Sequence, residues 1–380
     1  MQDAASALTE VAERYGALGD KQPPGPPTAA EFRERWRELA SLGFFRYAEQ
    51  ANDGAGRVSR AVAAIEAYGR AGGDPGFCYA ATSQLFGIQF PLNALLNGAQ
   101  RELLSGVADG SVMLCHASTE TSGGSDPLSG SVRATPAGDG GYLLNGTKSF
   151  VTAAPVADLG LVFARTDEGR SPFAMSAFLV DLHDPSVTRE GPFTKTALTG
   201  APMGALTFTD TPVPAANLVG DEGAGLWVMS TTTTWERALL LSYALGLMGR
   251  LLDQTVEWCR TRRHFGRAMG SSHQVAARVA EMVLRHRRSR TMIRAMASRF
   301  DTATSYAGLA TDAALTKISV SEDYVRFSQE AALLSGVRAF VADTGLTAAL
   351  ADPLAAMTYA GPNDLLRIAI ARDSGLPVVN

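Results

Sequence analysis

Between Ser111 and Gly220 the chain falls into short segments: SVMLCHAS (111–118), SVRATPA (131–137), GYLLNG (141–146), TKSFVTA (147–153), DLGLVFART (158–166), SAFLVDL (176–182) and GALTFTD (204–210), ending in TPVPAANLVG (211–220). They alternate in part and are rich in β-branched and aromatic residues. Gly, Pro and Asp separate them at spacings of roughly ten residues, which predicts a compact antiparallel β-domain. Upstream the period is helical. Residues 3–15 suit a helix, and QPPGPP at 22–27 breaks it because Pro cannot supply the next N–H. Thr28 and Glu31 form a capping box that opens a helix running to Gly43. Further helices are expected at 58–71, 76–96 and 98–108. Downstream, a long helix fits Leu226 to Arg263, and others fit 272–300, 304–335 and 343–351. Helices, then strands, then helices mean an α+β chain and not an alternating doubly wound sheet. The expected domains are 1–110, 111–222 and 223–380.

A chain of 380 residues exceeds what one hydrophobic core of roughly 250–300 residues supports, so several domains are expected. Apolar residues at 46% and charged residues at 19% fit a soluble globular protein and argue against disorder. A net charge of -4 provides no field to gather nucleic acid. Cys78, Cys115 and Cys259 include no CxxC pair, so neither a disulfide framework nor a zinc site is expected, and a reducing cytoplasm fits. His116, His183, His264, His273 and His286 form no HxxxH pair, so no metal centre is expected. The first ten residues lack the charged and apolar regions of a signal peptide. The run Ala238 to Met248 is too short to span a bilayer, so no membrane partner is expected.

Several segments have chemical as well as structural readings. TETSGGSD (119–126) follows a strand with small residues, hydroxyls and glycines; it is either a tight turn or a loop whose N–H groups approach a polar ligand. Arg262 is a helix-end cation that favours the dipole. Glu236 precedes an apolar run, where it is either a surface carboxylate or a buried, purposeful one. RHRRSRTMIRAMASRF (285–300) carries Arg285, Arg287, Arg288, Arg290, Arg294 and Arg299 with no acidic residue. It is either a solvated face or a docking surface for an acidic carrier or for phosphates.

TETSGGSD, NGTKSFVT (145–152) and RRHFG (262–266) with Gln274 downstream resemble the acyl-CoA dehydrogenase flavoprotein family over nearly the whole chain. The resemblance implies an N-terminal helical domain, a central antiparallel β-domain and a C-terminal four-helix bundle. It implies FAD against His116, Ser118, Thr119, Gly124, Ser125, Phe150, Val151 and Thr152. It also implies that Arg262, Phe265 and Gln274 reach the FAD held mainly by a neighbouring subunit, in a homodimer or homotetramer. Thr121-Ser122 stands where the family usually has Pro-Gly, and one extra residue separates Gly266 from Gln274.

In most of the family the base is a Glu in YEGT near the C-terminus; here the segment reads Tyr359-Ala360-Gly361-Pro362. A branch resembling isovaleryl-CoA dehydrogenase places its Glu on the helix that opens the C-terminal domain. ERALLLSYALGLM (236–248) matches that pattern without a gap, which makes Glu236 the candidate base. The backbone N–H of Ala360 remains a candidate donor to the thioester oxygen. WERA (235–238) and RTRRHFG (260–266) resemble the branch acting on acyl groups tethered to carrier proteins in specialised metabolism. On that resemblance the Arg285, Arg287, Arg288 and Arg290 face would dock the carrier or CoA, with a flavoprotein or O2 as electron acceptor. The altered segments Leu333 to Ala339, and Ala351 in place of an Arg, lie where the family builds its adenine end and subunit contact. Competing readings are a dehydrogenase of a short or branched acyl-CoA, a flavin monooxygenase acting for example on an amine, and a carrier-binding subunit without flavin.

Overall fold

The computed structural model describes residues 13–15, 26–49, 56–138, 140–169, 171–341 and 346–378. Of the first expected helix only 13–15 lie within the described residues, and they are helical; most of QPPGPP lies outside them.

Helix α1, Ala29–Ser41, starts at the expected capping box, in which the Thr28 side chain accepts from the Glu31 N–H and Glu31 reaches back. Its apolar face buries Phe32, Trp36 and Leu39. Helix α2 is Arg57–Ala71. Helix α3, Pro75–Gln84, begins with Pro at its first turn and Asp74 accepting from the Phe77 N–H at 2.8 Å. The helix expected over 76–96 does not run regularly: it widens into a π turn at Leu85–Gln89 before Phe90–Leu92. Helix α4, Gly98–Leu103, ends short of residue 108.

Strands β1 (Leu114–Ala117), β2 (Arg133–Pro136), β3 (Tyr142–Thr152), β4 (Leu159–Arg165), β5 (Met175–Asp181), β6 (Val187–Glu190), β7 (Met203–Val213) and β8 (Leu218–Val219) form one sheet. The order is β6-β7-β3-β2-β4-β5-β8, with β1 beside β4. Two details add to the expectation. The sheet is antiparallel except where β1 and β2 meet β4 in parallel. The segments expected at 141–146 and 147–153 are one strand, β3, whose ladder with β7 shifts register at Leu144/Gly146 and again at Lys148/Val151. Such bulges bend and twist a strand without ending it. Gly146 takes φ 123°, open to a residue without Cβ, whereas Phe150 takes φ 57° despite its side chain.

Helices α5 (Gly225–Leu239) and α6 (Ser242–Thr261) replace the single helix expected over 226–263. Neither Gly nor Pro marks the break; the close approach of α6 to α2 accompanies it. A Cβ at Gly246 would fall 2.0 Å from the Glu66 carbonyl oxygen, so that helix pair meets backbone to backbone. A short hairpin, β9 (Arg263–His264) with β10 (Arg267–Ala268), leads to α7, His273–Thr302. Helix α8 is Ala310–Ser335 and α9 is Leu346–Ala355, and an unexpected helix α10, Asn363–Asp373, follows. One apolar cluster runs from Phe32 through Val151 and Trp235 to Phe327, so helices and sheet share a core. Among the described residues no helix is long and apolar enough to cross a membrane.

Candidate active site

A cavity of about 680 Å³ opens where α3, the end of β1, the bulge of β3, α5 and the turn before α10 converge. Its lining includes His116, Ser118, Thr119, Gly124, Ser125, Phe150, Thr152, Glu236 and Ala360. Residues separated by as much as 244 positions thus meet in one place.

The loop 119–126 is held by a side chain that faces away from solvent. Glu120 is 3% exposed and accepts from the Ser131 N–H at 2.6 Å, the Ser131 hydroxyl at 2.7 Å and the Val132 N–H at 3.1 Å. The equally buried Lys148 ammonium donates to it at 2.8 Å and to the Ser118 carbonyl at 3.2 Å. Burial opposes the Glu120 charge, but the bonds from Lys148 and Ser131 win and hold its carboxyl at about 2. Gly124 packs closely here, since a Cβ there would lie 3.0 Å from the Thr119 hydroxyl and would push that side chain aside. The hydroxyls of Thr119 and Ser125 have no hydrogen-bond partner among the described residues and are free for a polar ligand.

His116 on β1 meets the Thr232 hydroxyl at 3.2 Å and packs on Phe163. Burial pulls its ring down to about 4, so it is neutral at pH 7. At the β3 bulge the left-handed backbone turns Phe150 out; it is 54% exposed and faces Phe193 edge-on. Val151, the next residue, places its side chain in the apolar core, and it is not among the residues that line the cavity.

Glu236 lies on α5 and receives the Ser83 hydroxyl at 3.3 Å. Burial pushes its carboxyl up to about 7, against the Ser83 bond and the charges of Arg237 and Lys317. Across from it is Gly87, inside the π turn, where a Cβ would stand 3.4 Å from the carboxylate, in contact with it. Ala360 sits in the turn before α10 with φ 52°, its carbonyl accepting from Arg237 Nε at 2.9 Å. The aromatic wall beside it is Tyr79, packed on Tyr359, whose hydroxyl is 2.8 Å from that of Tyr243.

Arg262, Phe265 and Gln274 are not part of this cavity. Arg262 caps α6 and lies over the Trp258 ring, while Phe265 is wholly exposed at the tip of the β9–β10 hairpin. Nor is the arginine face of α7 a free positive surface. Arg285 and Arg288 pair with Asp323, Arg290 and Arg294 with Glu66, and Arg299 with Asp312. Arg287 alone of these has no acidic partner among the described residues. Those acids come from α2 and α8, remote in sequence, which is why the stretch alone looked unneutralised. No group of His, Cys, Asp and Glu that could hold a metal occurs among the described residues.

Sequence comparison agrees with this geometry. The pattern of the acyl-CoA dehydrogenase middle domain matches residues 115–211, and that of the acyl-CoA dehydrogenase C-terminal domain matches residues 223–375. An L-prolyl-[peptidyl-carrier protein] dehydrogenase of Pseudomonas fluorescens is 32% identical over 337 residues, 88% of this chain and 88% of its own. The crystal structure of the prolyl acyl carrier protein oxidase AnaB superposes with a TM-score of 0.89 at 26% identity, over 97% of this chain and 99% of that one. An FAD complex of PigA gives a TM-score of 0.89 at 26% identity, over 100% of this chain and 99% of that one.

Proposed function

Because this chain belongs to the acyl-CoA dehydrogenase family, we propose that it is an FAD-dependent oxidoreductase that dehydrogenates an acyl thioester carried on a carrier protein in biosynthesis. The observation that carries this reading is a buried carboxylate, Glu236, tuned to about 7 in the cavity that also holds Ala360 and the 118–125 loop. The carrier-bound substrates named for the relatives, prolyl thioesters, favour the tethered acyl group over an acyl-CoA.

The cavity suits FAD. Unpartnered hydroxyls at Thr119 and Ser125, the neutral His116 ring and the outward Phe150 offer donors and an aromatic face on one side. When bound there, FAD supplies the acceptor for the hydride that leaves the β carbon. The chain's own residues do the rest. Glu236 takes the α proton as the Cα–H bond breaks and the α,β double bond forms. A base near 7 is ionised often enough at neutral pH and still basic enough to accept a proton. Ala360 N–H, unpartnered among the described residues, donates to the thioester oxygen as negative charge builds on it. Tyr79, Tyr359 and Ile88 help to exclude water from the carboxylate.

The protein is further read as a homo-oligomer in which Arg262 and Phe265 of one protomer complete the FAD site of another. The full exposure of Phe265 and its absence from the lining of its own cavity support this. Arg262→Ala then weakens FAD retention by roughly 10- to 100-fold, the worth of one charge-assisted bond to a diphosphate. Equilibrium dialysis of FAD checks it; unchanged retention removes Arg262 from the site. The acceptor for the second half-reaction is read from anaerobic reduction followed by admission of O2 or an electron-transferring flavoprotein.

A further inference from the structure

Lys317 is a buried cation with no carboxylate partner among the described residues. It sits on α8, 1% exposed, and no acidic group lies within ion-pair distance of it among the described residues. Instead its ammonium donates to the Met357 carbonyl at 3.1 Å, the Gly361 carbonyl at 2.8 Å and Asn363 Oδ1 at 2.7 Å. An ammonium has three N–H donors, and all are used on one turn. Burying a charge against neutral acceptors is costly, so the placement needs a reason beyond packing. That turn carries Ala360, whose carbonyl is in turn taken by Arg237, the residue after Glu236. Ala360 has a left-handed backbone that a non-glycine residue adopts only when its surroundings impose it.

We infer that Lys317 is a positioning residue: with Arg237 it grips the carbonyl oxygens of the 357–363 turn, so that Ala360 presents its N–H to the cavity beside Glu236. The inference rests on the reading of Glu236 as base and Ala360 N–H as thioester donor, and it extends that reading to a residue outside the cavity lining. It also couples the two. Around Glu236 stand Tyr79 and Ser83 of α3, Arg237 of α5 and the Lys317 charge from α8; around Lys317 stand Arg237, Glu236, Glu322 and Asn363. Burial and the Arg237 charge bring the Lys317 ammonium down to about 7, against Glu236 and Glu322, so its charge is itself adjustable near neutral pH. While charged, it favours the ionised base.

Two variants of the FAD-loaded protein separate the two tasks. Lys317→Met removes both the donors and the charge; Lys317→Gln removes the charge and keeps an amide donor. Amide hydrogen exchange is measured first, because it needs no substrate. In Lys317→Met, exchange over 357–363 rises by about tenfold or more, as the three bonds from the ammonium to the turn are lost, with the sheet and α5 unchanged. In Lys317→Gln the rise is smaller. Anaerobic flavin reduction by an L-prolyl thioester on a carrier protein is then followed against pH. In both variants the acid limb moves to higher pH, because Glu236 loses a neighbouring cation. Exchange that rises evenly across the molecule, or that stays at the wild-type level over 357–363 in both variants, overturns the inference, as does an unmoved acid limb. A Glu236→Gln control that reduces flavin at full speed sinks the base assignment instead, and the exchange result still decides whether Lys317 holds the turn.

Discussion

Glu236→Gln keeps FAD bound and slows anaerobic flavin reduction by the carrier-bound thioester by about 10²–10⁴-fold, the usual worth of a positioned general base. The amide keeps the shape of the carboxylate and its contact with Ser83 while losing the ability to accept the proton. In the wild-type protein the reduction rate climbs with pH through about 7, where the buried carboxyl ionises. Stability responds in the opposite sense. The folded-state value lies above the ordinary 4.5, so the stability that the neutral carboxyl contributes is complete below 4.5 and lost as pH rises through about 7. Glu236→Gln therefore melts at a higher temperature than wild type above pH 7, and the difference fades toward pH 4. A thermal melt at each pH checks this. Equal melting temperatures at high pH would show that the carboxylate is not strained by burial.

Glu120→Ala is the largest expected loss of stability, about 3–5 kcal/mol, because it strands the Lys148 ammonium in a buried position. It also removes the acceptors of Ser131 and Val132, which tie the loop after β1 to the strand entering β2. The loop that carries Thr119, Gly124 and Ser125 then loses its anchor, and FAD retention falls together with the denaturation midpoint. Replacing both partners, Glu120→Met with Lys148→Met, costs less than the two single changes added together, since neither leaves a lone charge. A double-mutant cycle in urea measures that coupling. Additive losses would mean that the pair acts only as filler.

The order of helices, strands and helices was readable because period and turn residues speak locally. The capping box at Thr28, the strands at 159–165 and 175–181 and the helix from His273 onward all follow from neighbours within a few positions. What was not readable depends on distant partners. The parallel pairing of β1 with β4 joins segments 45 residues apart, and no local pattern distinguishes it from an antiparallel edge. The break between α5 and α6 has no breaker residue. The π turn at Leu85–Gln89 looks like ordinary helix in sequence.

The site divides in the same way. Glu236 and the 118–125 loop were found by register with family motifs, and the structure gathers them in one cavity. Glu120 and Lys148 sat inside those very motifs, but their role as a buried pair needed the fold to bring them within 2.8 Å. Lys317 had a faint signal, a lone cation in the mainly apolar and small stretch AALTKISV (313–320), which marks either a snorkelling surface residue or a buried one with partners. Its partners, the carbonyls of a turn 40 or more residues away, could not be inferred. The pairing of the arginine face of α7 is hidden from the sequence for the same reason, because the acids that meet it lie on other helices.

Dehydrogenation of a tethered acyl group by Glu236 is tested most directly by mixing the FAD-loaded protein, without oxygen, with an L-prolyl thioester on a carrier protein and following the flavin absorbance. The expected result is bleaching whose rate rises as pH passes about 7 in wild type and is slow and flat in Glu236→Gln. A flavin that stays oxidised with this and every other carrier- or CoA-bound thioester, or that bleaches as fast in Glu236→Gln as in wild type, would contradict it.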